Sequence, residues 1–150
     1  MIESFTDEYF MKKALEEAAL AYQEDEVPIG AVVVMGNTII GRGHNQIERL
    51  NDVTAHAEIL AITAASAYLG SKYLKECKIY VTLEPCVMCA YAIQSAQLPE
   101  MIFAADDPKE GYRQFIPSVV HAQMLVKSGI LAEKSSGLIL EFFNNKRKRK

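Results

Sequence analysis

At 150 residues, half of them hydrophobic and 23% charged, the chain has the length of one domain and a globular rather than disordered composition. No apolar run approaches the ~18 residues that span a bilayer. Met1-Ile2-Glu3-Ser4-Phe5 lacks the basic start and apolar stretch of a secretion signal, so a cytoplasmic protein is expected. The net charge of −3 hides an asymmetry: Lys146-Arg147-Lys148-Arg149-Lys150 is wholly cationic and leaves residues 1–145 at −8. A basic tail on an acidic body suits a polyanionic partner, although a solvated, frayed terminus has the same composition.

In chain order, Thr6 or Asp7 can cap a first helix whose Met11, Ala14, Leu15, Ala18 and Tyr22 share one face. Pro28 closes that segment. Ile29 to Met35 and Thr38 to Gly41, around Gly36-Asn37, read as a β-hairpin with a two-residue turn. A polar connector from His44 to Asp52 leads to Thr54, which can cap an Ala-rich helix running to Leu69. Lys78 to Leu83 is a third strand. Pro85 suits the first position of a helix through Ser95. Met101 to Ala105 gives a fourth strand, Gln123 to Val126 a fifth, and Ala132 to Arg147 a last amphipathic helix weakened by Gly137. Strands alternating with helices after an antiparallel hairpin predict a three-layer α/β domain over residues 1–150, with 146–150 as a tail.

Thr54-Ala55-His56-Ala57-Glu58 and Pro85-Cys86-Val87-Met88-Cys89 carry the chemistry. His56, Cys86 and Cys89 are three zinc-type ligands, and three ligands leave a fourth tetrahedral position for water, as catalytic sites require. Glu58 is then a carboxylate free to move that water's protons. Both motifs fall at predicted helix starts, where backbone N–H groups favour thiolates. Within a helix Cys86 and Cys89 share a face, whereas His56 and Glu58 reach one point only from the first turn. Two other readings compete. An isolated Cys-x-x-Cys suggests thioredoxin-like redox chemistry, which has no use for His56 or Glu58. A closed structural zinc site needs Cys77, His44 or His121 as fourth ligand, and none of these has motif spacing.

The pair His56-Ala57-Glu58 and Pro85-Cys86-x-x-Cys89 is the pattern of zinc-dependent nucleoside and nucleobase deaminases. Longer strings are more specific: Glu26 to Val32 (EVPIGAV), Asn45, Thr54 to Ile59 (TAHAEI), Tyr80 to Ala90 (YVTLEPCVMCA) and Asp106-Asp107-Pro108-Lys109 resemble bacterial tRNA-specific adenosine deaminases. The resemblance implies a cytidine-deaminase-like α/β/α fold with a central mixed five-stranded sheet and one Zn²⁺ per subunit. It implies hydrolytic deamination of the wobble adenosine of a tRNA anticodon to inosine and ammonia, by a homodimer. On this resemblance His56, Cys86 and Cys89 bind zinc and Glu58 is the general acid/base. Asn45 and Ala57 contact the flipped base, Asp107 and Lys109 lie in the anticodon-facing loop, and Phe142 can stack on RNA. Arg147 and the basic tail reach phosphates.

The chain departs from that family at Tyr91, where Gly is usual, at Ala96-Gln97 in place of Ser-Arg, and at Gly111-Tyr112-Arg113-Gln114-Phe115 in place of a Gly-Ser-Leu-type segment. The zinc motif alone also fits a free-base or nucleoside deaminase of the guanine or cytosine type. A silent RNA-binding subunit is a third possibility, but it has no need of Glu58. The TLEPCVMCA string, the DDPK loop and the basic tail favour tRNA.

Overall fold

The computed structural model describes residues 4–149. Its elements are α1 (Asp7–Gln23), β1 (Gly30–Met35), β2 (Thr38–His44), α2 (Ala57–Leu69), β3 (Cys77–Leu83), α3 (Val87–Ser95), β4 (Glu100–Ala105), β5 (Leu125–Ser128) and α4 (Ala132–Lys148). A short 3₁₀ turn, Tyr112–Gln114, precedes β5. The five strands form one sheet in the order β2-β1-β3-β4-β5. β1 runs antiparallel to β2 and β3, and β4 and β5 continue parallel to β3.

Side chains alternate across the sheet and so define two cores. Ala31, Val33, Ile79, Val81, Met101 and Phe103 face α2 and α3. Val32, Val34, Tyr80, Ile102 and Ala104 face Phe10, Met11 and Ala14 of α1, with Ile130 and Leu131 at the start of α4 beside them. The central strands are covered on both faces, which is why they read as unbroken apolar runs. The expected three layers and mixed five-stranded sheet are present.

Thr6 caps α1, accepting the Tyr9 N–H at 3.1 Å. The buried face of α1 is Phe10, Met11, Ala14, Glu17, Ala18 and Ala21, so the predicted stripe is rotated and Leu15 and Tyr22 sit at its margin. Several predicted boundaries shift, among them β2, which runs to His44 rather than ending at Gly41. α1 ends at Gln23 rather than at Pro28, because Glu24 to Glu26 turn back on its last carbonyls. Thr54 does not cap α2: Asp52 holds its N–H and hydroxyl in a local turn, and His56 is the N-cap. Pro85 lies outside α3, whose N-cap is Cys86. β5 begins at Leu125, two residues later than predicted, where Leu125 N–H reaches the Pro99 carbonyl.

Small residues set how close α2 lies to the sheet. Ala57, Ala61 and Ala65 form its buried stripe, and Gly41 and Gly43 of β2 lie beneath it. A Cβ on Gly43 would come within 2.3 Å of the Ala57 carbonyl oxygen, and one on Gly41 within 2.3 Å of the Ala61 oxygen. The first turn of α2 therefore rests directly on β2 backbone.

Two glycine substitutions have opposite expected signs. Gly43→Ala forces α2 off the sheet and lowers stability by about 1–3 kcal/mol. Gly137→Ala, in a helical position with open space around it, raises stability by about 0.5–1 kcal/mol. Urea denaturation of both variants checks the pair.

Candidate metal centre and active site

His56 and Cys86 occupy the N-caps of α2 and α3, and Cys89 lies in the first turn of α3. Their extended φ/ψ values, −76°/153° and −69°/172°, turn both side chains ahead of their helices, toward a common point. His56 Nδ1 lies 3.7 Å from Cys86 Sγ and 3.5 Å from Cys89 Sγ. The three ligand atoms all fall within 4.8 Å of one another. Tetrahedral zinc, with N at ~2.05 Å and S at ~2.3 Å, puts such atoms roughly 3.6 Å apart. The donor set and its spacing fit that ion. Among the described residues no other group of His, Cys, Asp and Glu meets the same criterion.

The alternative fourth ligands are committed elsewhere. His44 bonds Glu17 at 3.2 Å through Nδ1 and Glu24 at 3.0 Å through Nε2. Cys77 is buried at the start of β3, in the core under α2 and α3. His121 is exposed, its backbone N–H donates to Gln94, and its ring is not part of the His56–Cys86–Cys89 group.

The electrostatics of the cluster follow from crowding. Cys86 is pulled down to about 4, first by the Cys89 thiol that donates to it, then by His56, against the cost of burial. Cys89 is pushed up by the Cys86 sulfur, by burial and by Glu58. His56 is raised mainly by its hydrogen bond to Cys86, against burial. Glu58, in the first turn of α2 and 4% exposed, is pushed up to about 7, with burial as the principal cause. One buried carboxyl, its protonated form favoured by burial, thus stands beside two sulfurs and an imidazole.

Asn45 and Ala57 meet directly. Asn45 is buried, and its Oδ1 accepts the Ala57 N–H at 2.9 Å. That bond satisfies the first N–H of α2, which the His56 side chain does not cap. Asn45 also lines a groove of about 720 Å³ with Val27, Ile47, Phe142, Phe143 and Lys146. Phe142 is only 3% exposed and packs edge-on against Tyr22, whereas Phe143 is open to solvent. A cleft of about 810 Å³ between α3 and residues 117–124 contains none of the predicted site residues.

Asp107 organises its own loop, its Oδ1 accepting the N–H groups of Lys109 and Glu110 at 3.1 Å each. Lys109 is exposed. Lys146, Arg147 and Lys148 form the last turn of α4, which suits the negative end of the helix, and Arg149 is its C-cap. Two of these cations face Asp25, Lys146 at 3.6 Å and Arg149 at 3.0 Å, while Arg147 bonds Asn144. Lys150 lies outside the described residues.

Two buried carboxylates with a structural part in the site went unassigned in the sequence. Glu26 accepts the N–H groups of Glu48 at 3.2 Å and Arg49 at 2.7 Å, holding the connector that begins at Asn45. Glu84 accepts those of Asp107 at 3.0 Å and Arg113 at 3.1 Å. Glu84 directly follows the apolar strand β3, while Glu26 precedes the strand β1 by four residues.

Residues 5–146 match the family of MafB19-like deaminases. A tRNA-specific adenosine deaminase of Agrobacterium fabrum is 44% identical over 144 residues, covering 93% of this chain and 95% of its own. A solved structure from work on A-to-I editing by tRNA:A34 deaminases at the wobble position of transfer RNA is 44% identical. It superposes with a TM-score of 0.81 over 87% of this chain and 98% of that one. A guanine deaminase of Bacillus subtilis is 38% identical over 67% of this chain and 65% of its own, with a TM-score of 0.65. A cytidine-deaminase-like fold, with a His/Cys/Cys group that could hold a metal at two helix N-termini, and the match to a deaminase family define the class, a deaminase. More particularly, the chain belongs to the family of tRNA-specific adenosine deaminases.

Asn45→Ala leaves the buried Ala57 N–H without a partner and is expected to cost about 1–3 kcal/mol of stability. Thermal or urea denaturation of the variant checks it.

Proposed function

We propose that this chain hydrolyses the exocyclic amine of the wobble adenosine in a tRNA anticodon, giving inosine and ammonia. The observation that carries this reading is the triangle of His56, Cys86 and Cys89 with Glu58 buried beside it. The near full-length likeness to tRNA-specific adenosine deaminases supports the substrate.

His56, Cys86 and Cys89 would hold one zinc ion, and the chemistry it would supply is that of a Lewis acid that makes water nucleophilic near neutral pH. Glu58 is the general acid/base. It would accept the water's first proton and pass it to the purine ring, then take the second, from the hydroxyl added at carbon six, and deliver it to the departing amine. A carboxyl whose burial favours its protonated form is suited to relaying protons in both directions. Asn45 gives its oxygen to Ala57 and so keeps its amide hydrogens for the base, and Ala57 borders the same spot. The purine leaves the stack to enter this site, as base-modifying enzymes require.

The groove beside Asn45 runs to Phe143 and Lys146, an aromatic face and a cation that suit a single-stranded loop. Phe142 supports that wall from within. Asp107 and Lys109 form a second wall, and Arg147 with the rest of the tail meets phosphates, which position the RNA without reading its sequence. Tyr91, Phe115 and Ile116 give exposed apolar surface for a second copy in a homodimer. No described helix is long and apolar enough to cross a membrane, and the proposed site of action is the cytoplasm, with residues 1–150 acting as one deaminase domain.

Four measurements test the reading. Glu58→Ala is expected to lower turnover of an anticodon stem-loop about 10²–10⁴-fold while zinc content and RNA binding persist; undiminished turnover removes Glu58 from the mechanism. Chelation should abolish inosine formation, and added zinc should restore it. In a panel of stem-loop RNA, adenosine, cytidine, cytosine and guanine, only the RNA should react. Ready turnover of guanine with inert RNA overturns the substrate assignment in favour of a free-base deaminase. Deleting residues 146–150 should also flatten the salt dependence of RNA binding.

A further inference from the structure

Glu84 stands at a junction that the reaction chemistry leaves unexplained. It follows β3 directly and precedes Pro85 and the ligand Cys86, and its side chain is 1% exposed. Oε1 accepts the Asp107 N–H at 3.0 Å and the Arg113 guanidinium at 3.1 Å, while Oε2 accepts the Arg113 backbone N–H at 3.1 Å. Arg113 also reaches Asp106 at 2.7 Å and lies over the Phe103 ring, 4.8 Å from its centre.

The same loop is fastened to the metal-ligand corner by its backbone. Gly111 forms an antiparallel bridge with Cys86, and the Tyr112 N–H donates to the Pro85 carbonyl at 2.9 Å. Tyr112 is buried in the core shared with α2 and α3. The packing leaves no slack: a Cβ on Gly111 would lie 2.3 Å from the Glu84 carboxylate. Arg113 belongs to the segment in which this chain departs from the family pattern.

We propose that Glu84 is a positioning residue, clamped by Arg113, that locks the 106–113 loop onto the Pro85–Cys86 corner. One carboxylate then fixes both the direction of a metal ligand and the wall offered to the anticodon. The second half of this proposal rests on the tRNA reading above; the first half does not.

Three variants of the full chain test it. Glu84→Gln replaces an acceptor by an NH₂ group that must face a backbone N–H. Gly111→Ala keeps the carboxylate but wedges the loop away from it. Arg113→Ala removes the clamp and keeps both backbone bonds. Zinc affinity is read by competition with a chromogenic chelator, and KM and kcat with a stem-loop at saturating zinc. Glu84→Gln and Gly111→Ala should each weaken zinc binding about tenfold or more, the usual effect of disturbing a ligand's support. All three should raise KM for RNA more than they lower kcat.

Variants that melt earlier yet keep wild-type zinc affinity and KM overturn the proposal and make Glu84 scaffold only. If Glu84→Gln does not fold, the other two decide by the same readouts. The zinc measurement needs no RNA, so a wrong substrate assignment shows as inert wild-type protein. A wrong clamp shows only as unaffected variants.

Discussion

Two helices must begin within a few ångströms of one point, and most of the architecture follows from that requirement. Ligand atoms 3.5–3.7 Å apart tolerate little drift, because a metal site loosened by even half an ångström loses affinity. α2 reaches its place by resting an Ala57, Ala61, Ala65 stripe on Gly41 and Gly43. α3 reaches its place because β3 ends at Leu83 and the chain turns at Glu84 and Pro85 into Cys86. The two helices cover the same side of the sheet, so both N-termini open at the same edge of the layer.

Placing ligands at N-caps has a local consequence. Those positions usually hold Ser, Thr, Asp or Asn, whose side chains satisfy the first free N–H groups of the helix. His56 does not do this, and Asn45, twelve residues earlier, reaches across to the Ala57 N–H instead. Capping by a residue outside the helix leaves the imidazole free to ligate. It also ties the connector after β2 to the first turn of α2. Glu26 and Glu84 extend this logic, each buried and each accepting two backbone N–H groups from a loop that borders the site. Loops held from inside by carboxylates stay ordered without apolar surface of their own.

The residues proposed as ligands and acid could be singled out in the sequence because metal and proton chemistry restrict residue types sharply. His56, Cys86, Cys89 and Glu58 stand out whatever the fold. The strands were legible because their burial makes continuous apolar runs. Helix starts were less so. Thr54 has the composition of a cap, but Asp52 engages it in a turn, and only the tertiary position of His56 shows where α2 begins. Pro85 suits a first helical turn by conformation, yet its place before Cys86 is set by the bridge between Cys86 and Gly111. Glu84 and Arg113 were illegible as a pair, since twenty-nine residues separate them. A buried carboxylate gains meaning only from the donors that the fold brings to it.

The departures from the family pattern sort by distance from the ligands. Tyr91 is exposed on α3, and Ala96-Gln97 close that helix, with Ala96 as C-cap and Gln97 at a φ of 63°. Ala96 and Gln97 lie at the end of α3 remote from Cys86, and Tyr91, in the middle of the helix, turns to solvent. Gly111 to Phe115 differ in kind. That segment touches Pro85, Cys86 and Glu84 directly, so its sequence is coupled to the ligand corner through backbone bonds and one guanidinium. Substitutions there must preserve a small residue against the Glu84 carboxylate and a donor for its oxygens, whatever else they alter. Freedom at the C-terminal end of α3 and constraint in this loop thus follow from the same geometry, the reach of contacts from a single cysteine at a helix start.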